Sequence, residues 1–146
     1  MTTPPEIEKF VQDKAKEIIE SGQEHQPIVF ILSATREISI IGIDLSEESK
    51  EYFIPVLQRI LRERNAVSYV FVYEAYMSHT IPPKGKRVRD LPPDDREDVL
   101  MITSCENEKK VSTYQAIIRN TPRGRKLESW SDPYIGAQGR MVVEKW

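Results

Sequence analysis

The sequence has few of the residues that form disulfides or bind metal ions in small proteins. Its 146 residues include one cysteine and two histidines. A lone cysteine excludes an internal disulfide, and His25 and His79 lie too far apart in sequence to show a zinc-ligand spacing. Cys105 lies in an apolar strand pattern, and we predict a small buried side chain there. A disulfide scaffold and a zinc module are therefore excluded as interpretations.

Long hydrophobic runs are also missing. The longest, Ile28–Leu32 and Val70–Tyr73, are far shorter than the roughly 20 apolar residues that span a bilayer. Residues 1–14 have neither the basic segment nor the apolar segment of a secretory signal. We therefore expect a cytoplasmic protein without a membrane partner.

The composition is that of a folded protein, with 39% apolar and 30% charged residues. The length suits one domain over residues 1–146. A domain of this size buries enough surface on folding to be stable without disulfides or bound metals. The net charge of −2 hides an asymmetry, because residues 80–126 carry 11 Lys and Arg against 7 Asp and Glu, whereas residues 1–79 carry 8 against 13. The basic excess lies mostly in two loops, at 84–89 and 119–126.

Helical spacing of apolar residues predicts two helices. Thr3 and Glu6 form a capping box at the start of the first helix, and Gly22 follows its last apolar residue. The second helix begins after Asp44 or Ser46 and runs towards Asn65. Pro55 lies inside it and should kink it or divide it into a short and a longer piece.

Apolar segments between turn signals predict five to six strands. We place them at Ile28–Leu32, Ile38–Asp44, Val67–Met77, Asp98–Cys105 and Lys110–Ile118, with a possible short strand at Lys126–Trp130 and a final one at Met141–Glu144. The order α-β-β-α-β-β-β favours an α+β domain in which a mostly antiparallel sheet carries its helices on one face.

Two short motifs carry a resemblance. The segment YVFVYEAY at 69–76 is followed by PDDREDVL at 93–100 and a charged turn. Residues 27–120 thereby resemble a group of small prokaryotic proteins without an assigned function. The resemblance implies a compact intracellular α+β protein and transfers no catalytic residues.

The acid Glu74, near the end of an apolar strand, marks a candidate site, since burying an unpaired carboxylate costs several kcal/mol. The long loop 78–97 returns to the next strand, so its charged end should lie near Glu74 if the two strands pair. We interpret the pair Glu74 and Arg96 as closing the loop. An open alternative is a metal-dependent hydrolase in which Asp94 and Asp95 join Glu74 around a cation. The candidate site also includes Tyr76, whose ring offers a stacking surface.

The two basic loops suggest a different function. If folding brings them together, they would form a patch that attracts phosphate or nucleic acid. The proposed contacts are Lys84, Lys86, Arg87 and Arg89 in the first loop and Arg123, Arg125 and Lys126 in the second.

No phosphate-binding or dinucleotide-binding glycine motif is present. We therefore favour a small interaction or regulatory module without catalysis, cofactor or metal. The final strand at Met141–Glu144, as a sheet edge, would favour a homodimer. The nucleic-acid and hydrolase alternatives stay open, and the sequence indicates no substrate.

Overall fold

The computed structural model describes residues 3–78, 81–136 and 141–146. Its helices are α1 (Pro4–Glu20), α2 (Glu47–Lys50) and α3 (Phe53–Glu63). Its strands are β1 (Ile28–Ser33), β2 (Ile38–Gly42), β3 (Ala66–Met77), β4 (Glu97–Glu106), β5 (Ser112–Thr121), β6 (Gly124–Leu127) and β7 (Tyr134–Ile135). In the described part of the chain no helix is long and apolar enough to cross a membrane.

Helix α1 begins and packs as its sequence predicts. Thr3 caps it by accepting a hydrogen bond from the Glu6 amide (3.4 Å), and the Thr3 hydroxyl donates to the Glu6 carboxylate (2.9 Å). One stripe is buried, as helical spacing requires, and it consists of Ile7, Val11, Ala15 and Ile19.

The second helical segment is divided into α2 and α3. Pro55 lies in the first turn of α3, where a missing backbone N–H costs no helical hydrogen bond. The predicted division is therefore confirmed. Helix α3 buries Phe53, Leu57 and Leu61.

The sheet is antiparallel throughout and follows the order β2-β1-β3-β4-β5-β6, with β7 pairing beside β6 on β5. The predicted α+β class with a mostly antiparallel sheet is confirmed. Strands β2 and β6 are outermost in this order, and β1 and β3 are internal.

Helices cover both faces of the sheet, so the expectation that they share one face was wrong. Helix α1 packs on the face that carries Phe30 and Val70, and α3 packs on the face that carries Ile31 and Phe71. We call these the α1 face and the α3 face. The physical reason is that β1 and β3 are apolar at successive positions, which point to opposite faces, and both faces must then leave water.

Residues 141–146 do not form the predicted edge strand. This C-terminal segment instead crosses the α3 face, where Val143 is buried. The Tyr69 hydroxyl donates to the Val143 carbonyl (2.6 Å) and accepts from the Val143 amide (3.1 Å), while the Trp146 indole donates to the Ala66 carbonyl (2.9 Å). These side-chain contacts, with a backbone hydrogen bond from the Glu108 amide to the Glu144 carbonyl (2.8 Å), hold the segment without a paired strand.

Candidate functional site

Strand β3 extends beyond its neighbour β1. Its pairing with β1 ends at Ile28 and Val72, whereas its pairing with β4 continues to Met77 and Glu97. The segment Tyr73–Met77 therefore has a strand on one side only among the described residues. Every second residue of such a segment directs its backbone N–H and C=O groups away from β4, and in the described part of the chain no strand pairs with that side.

The chain leaves the sheet at Pro27, immediately before β1. Proline has no N–H to donate to a ladder and is confined to strand ends and edges. The preceding linker, residues 21–27, forms no strand alongside Tyr73–Met77. It stays against the sheet, because the Pro27 carbonyl accepts from the Ile43 amide (2.9 Å) and the His25 amide donates to the Glu74 side chain (2.5 Å).

A cleft of about 660 Å³ opens over this free segment of β3. The linker forms one side of it, and residues 87–89 of the long loop form another. The cleft is lined by Glu24, His25, Gln26, Pro27, Leu45, Lys50, Tyr73, Glu74, Ala75, Tyr76, Arg87, Val88, Arg89, Asp98, Arg125 and Met141.

Glu74 is paired with Arg125. The predicted pair of Glu74 with Arg96 was therefore wrong. The Arg125 guanidinium donates to both carboxylate oxygens of Glu74, at 2.6 and 3.4 Å. Its hydrogen bond with Glu74 raises the pKa of Arg125 above its ordinary value. The His25 amide also donates to Glu74 (2.5 Å), and Arg125 donates to the Gln23 carbonyl (3.0 Å). The pair therefore fastens the linker to the sheet.

The partner of Glu74 comes from a distant strand. Arg125 lies on β6, three strand positions from β3, or about 14 Å in a flat sheet with ~4.8 Å spacing. A direct ion pair across that interval requires the sheet to curve at this end. No motif or residue spacing in the sequence predicts this curvature, so the Glu74–Arg125 pair was not predictable.

Arg96 organises the long loop instead. Its guanidinium donates to the carbonyls of Arg89 (2.5 Å) and Leu91 (3.1 Å) and lies 4.5 Å from the centre of the Tyr76 ring. A cation over an aromatic face contributes about 0.5–1 kcal/mol at an exposed site. Arg96 thus positions the segment carrying Arg87 and Arg89 at the cleft.

Asp94 and Asp95 do not join Glu74 in the cleft. They form part of a short 3-10 helix, Pro93–Asp95, and both side chains are exposed. In residues 3–78, 81–136 and 141–146 the structure brings together no group of three or more His, Cys, Asp or Glu residues that would hold a metal ion. The carboxylate-cluster hypothesis thus receives no geometric support.

The two basic loops meet only in part. Arg87 and Arg89 from the first loop and Arg125 from the second line the same cleft. Arg125 is neutralised by Glu74, and Arg119 forms an ion pair with Glu128 (2.5 Å). The remaining predicted contacts are exposed and do not line the cleft; they are Lys84, Lys86, Arg123 and Lys126.

The two faces of the sheet give the cleft two kinds of lining. On the α3 face, Tyr73, Leu45 and Met141 pack against the apolar core. Burial raises the pKa of Tyr73, so its hydroxyl stays protonated as a donor. On the α1 face lie Glu74 and Tyr76, with Asp98 opposite Tyr76 in the β3–β4 register.

Sequence reasoning missed most of the cleft. Tyr73 and Asp98 are beside predicted site residues, but Leu45, Lys50 and Met141 reach the cleft from separate parts of the chain. No local motif links these segments.

Comparison with known proteins finds no matching family model, no similar curated protein and no similar solved structure. The resemblance over residues 27–120 therefore stays a prediction. His79, the second histidine of the sequence, lies outside the described residues.

Proposed function

We propose that the chain is an interaction module that binds an extended segment of a partner protein as an added strand along Tyr73–Met77. The observation that carries the proposal is the mismatch in length between β1 and β3, which leaves this segment of β3 open beneath a cleft. Strand addition uses main-chain hydrogen bonds for affinity and side-chain pockets for specificity.

A binding role suits the lining better than catalysis. The described lining contains no serine, threonine or cysteine to act as a nucleophile. Its acid Glu74 is committed to Arg125, and the His25 Nδ1 atom lies 2.8 Å from the Gln26 carbonyl. The only cysteine, Cys105, is buried, and its pKa is raised to about 12 by burial. These features favour a protein without catalysis.

Nucleic-acid binding is the weaker proposal. Arg87 and Arg89 line the cleft, but Arg87 forms an ion pair with Asp90 (3.3 Å). The second loop contributes little net charge because Arg119 and Arg125 are paired with acids. A labelled single-stranded RNA of mixed sequence tests it at low salt, where counterion release is most favourable. Binding that weakens in a Lys84→Gln, Lys86→Gln variant would favour this alternative, and absence of binding would remove it.

A homodimer, if it forms by edge pairing, would use β2 and not the C-terminal segment. Strand β2 is outermost in the sheet and carries no charged side chain, and Ile40 is 63% exposed. Sedimentation equilibrium at micromolar concentration tests this. A dimer that becomes monomeric in Ile40→Arg would support it, and a monomeric parent protein would contradict it.

The peptide-binding proposal is tested by selection from a phage library of random twelve-residue peptides. We expect selected peptides to bind the parent protein and to bind Ala75→Arg at least about tenfold more weakly, a change of about 1.4 kcal/mol. Ala75 lies on the open part of β3 and lines the cleft, so the new side chain would fill the space on the α3 face that the side chains of a guest strand would enter.

The matched control places the same side chain on the other open strand. Ile40→Arg on β2 should bind the selected peptides as the parent does. Loss of binding in Ile40→Arg alone would move the site to β2, and failure to select any peptide would overturn the proposal. Circular dichroism of both variants checks that they fold.

A further inference from the structure

We infer that the guest peptide alternates apolar and polar side chains, with the apolar ones directed to the α3 face. This inference rests on the proposed function, since it specifies the partner of the same cleft. It follows from the pleat of a strand, in which successive side chains point to opposite faces of the sheet.

The α3 face offers an apolar pocket to one set of guest side chains. A guest residue opposite Tyr73 or Ala75 would share their face, because directly opposite residues in a sheet lie on the same side. Leu45 and Met141 complete this part of the lining, and both pack against the core of the α3 face. A branched or aromatic guest side chain would exclude water there.

The α1 face offers a polar surface to the other set. A guest residue opposite Glu74 would meet the Glu74–Arg125 pair. A guest residue opposite Tyr76 would face that ring, with the Asp98 carboxylate beyond it on β4, two strand spacings or about 10 Å from the guest strand. Tyr76 is 48% exposed and supports the Arg96 guanidinium on its ring. An apolar guest side chain would leave these charged groups without solvent, which costs free energy.

The open segment also limits the length of the guest. Tyr73–Met77 spans about 17 Å at ~3.3 Å per residue, so the strand-forming core of the peptide would be about five residues. Such a core carries two or three side chains towards each face.

The sequences enriched in the phage selection test the inference. We expect a shared core of about five positions in which apolar residues recur at every second position. Peptides that are enriched and bind at Ala75 but show no alternation would overturn the inference and leave the proposed function intact. A selection that enriches no peptide would overturn both.

A second selection, on Asp98→Lys, identifies the polar face. Reversing this charge should enrich Asp and Glu at the polar positions by about tenfold or more relative to the parent selection, corresponding to about 1.4 kcal/mol. The apolar positions should be unchanged. A change confined to the apolar positions, or no change at all, would contradict the assignment of the faces. Glu108→Lys on the far turn serves as a control for net charge, since Glu108 does not line the cleft.

Discussion

Glu74 shows how an acid is accommodated on an internal strand. Its side chain is 22% exposed and that of Arg125 is 17% exposed, so water screens the pair only in part. The carboxylate accepts from the guanidinium and from the His25 amide. Hydrogen bonds to charged groups contribute about 1.5–3 kcal/mol each when they are well formed. The pair thus stabilises the wall of the cleft as well as the sheet.

Replacing Arg125 should destabilise the protein. Arg125→Gln leaves the Glu74 carboxylate without its guanidinium partner, and we expect the free energy of unfolding to fall by about 1–3 kcal/mol. Urea denaturation monitored by circular dichroism measures the change.

The control for this prediction is Arg119→Gln, which breaks a more exposed pair with Glu128. These side chains are 56% and 41% exposed, and such surface pairs contribute about 0–1 kcal/mol. If the free energy of unfolding fell equally in the two variants, the contacts of Arg125 at the cleft would stabilise the protein no more than a surface ion pair does.

Cys105 should be unreactive in the folded protein. Burial is the main cause that raises its pKa from 9.0 to about 12. The sulfur lies 3.2 Å from the Glu106 carbonyl and 3.3 Å from the Lys109 carbonyl, and these two acceptors share its one proton. Because the thiolate is the reactive form, we expect a disulfide reagent at pH 8 to label Cys105 slowly in buffer and rapidly in concentrated urea. Immediate labelling of the folded protein would contradict this burial.

The same pKa shift links stability to alkaline pH. The folded state holds the thiol proton more tightly than the unfolded state, so the contribution of this group is present below pH 9.0 and is lost as the pH rises towards about 12.

Part of the site was predictable at the scale of residues. That Glu74 would be paired follows from the cost of burying a carboxylate, and its place beside β4 follows from the hairpin-like order of the strands. Its partner did not follow, because Arg96 is nearer in sequence, while Arg125 approaches only through the curvature of the sheet.

At the scale of elements, one hydroxyl holds the buried part of the C-terminal segment. Tyr69 bonds both the amide and the carbonyl of Val143. Tyr69→Phe removes both partners and leaves two buried backbone groups unsatisfied, which should cost about 1–3 kcal/mol of unfolding free energy. Urea denaturation measures it.

Tyr73→Phe is the matched control for that variant. Tyr73 lies on the same face of the same strand, and its hydroxyl makes no hydrogen bond to the described residues. We expect a change within about 0.5 kcal/mol, as for substitutions away from specific contacts. A Tyr69→Phe variant as stable as Tyr73→Phe would show that the two Tyr69 hydrogen bonds add nothing to the stability of the folded protein.

Local signals predicted the helices better than the ends of the chain. Pro55 divides the second helix as its missing N–H requires. Met141–Glu144 alternates too little to distinguish a strand from an extended segment on a sheet face, since both bury apolar residues. Contacts from distant parts of the chain, such as those of Tyr69 with Val143 and of Ala66 with Trp146, decide between them.

At the scale of the whole molecule, both faces of the sheet are covered, and one length of the β3 edge, Tyr73–Met77, is left without a neighbouring strand among the described residues. The α+β class was predictable because the periods of helix and strand differ. The distribution of the helices over the two faces was not predictable. The apolar stripes of α1 and α3 are alike in composition, so they do not indicate which face of the sheet each helix covers.

Hydrogen exchange of the β3 amides, followed by NMR, measures whether Tyr73–Met77 is an open strand edge that a peptide covers. In the free protein, the amides within Tyr73–Met77 that point away from β4 should exchange quickly, while those that point to β4 should exchange slowly. A selected peptide should slow the fast set and leave the β2 amides of Ile38–Gly42 unchanged. Uniform protection of Tyr73–Met77 without peptide, or protection by the peptide only at β2, would contradict the account.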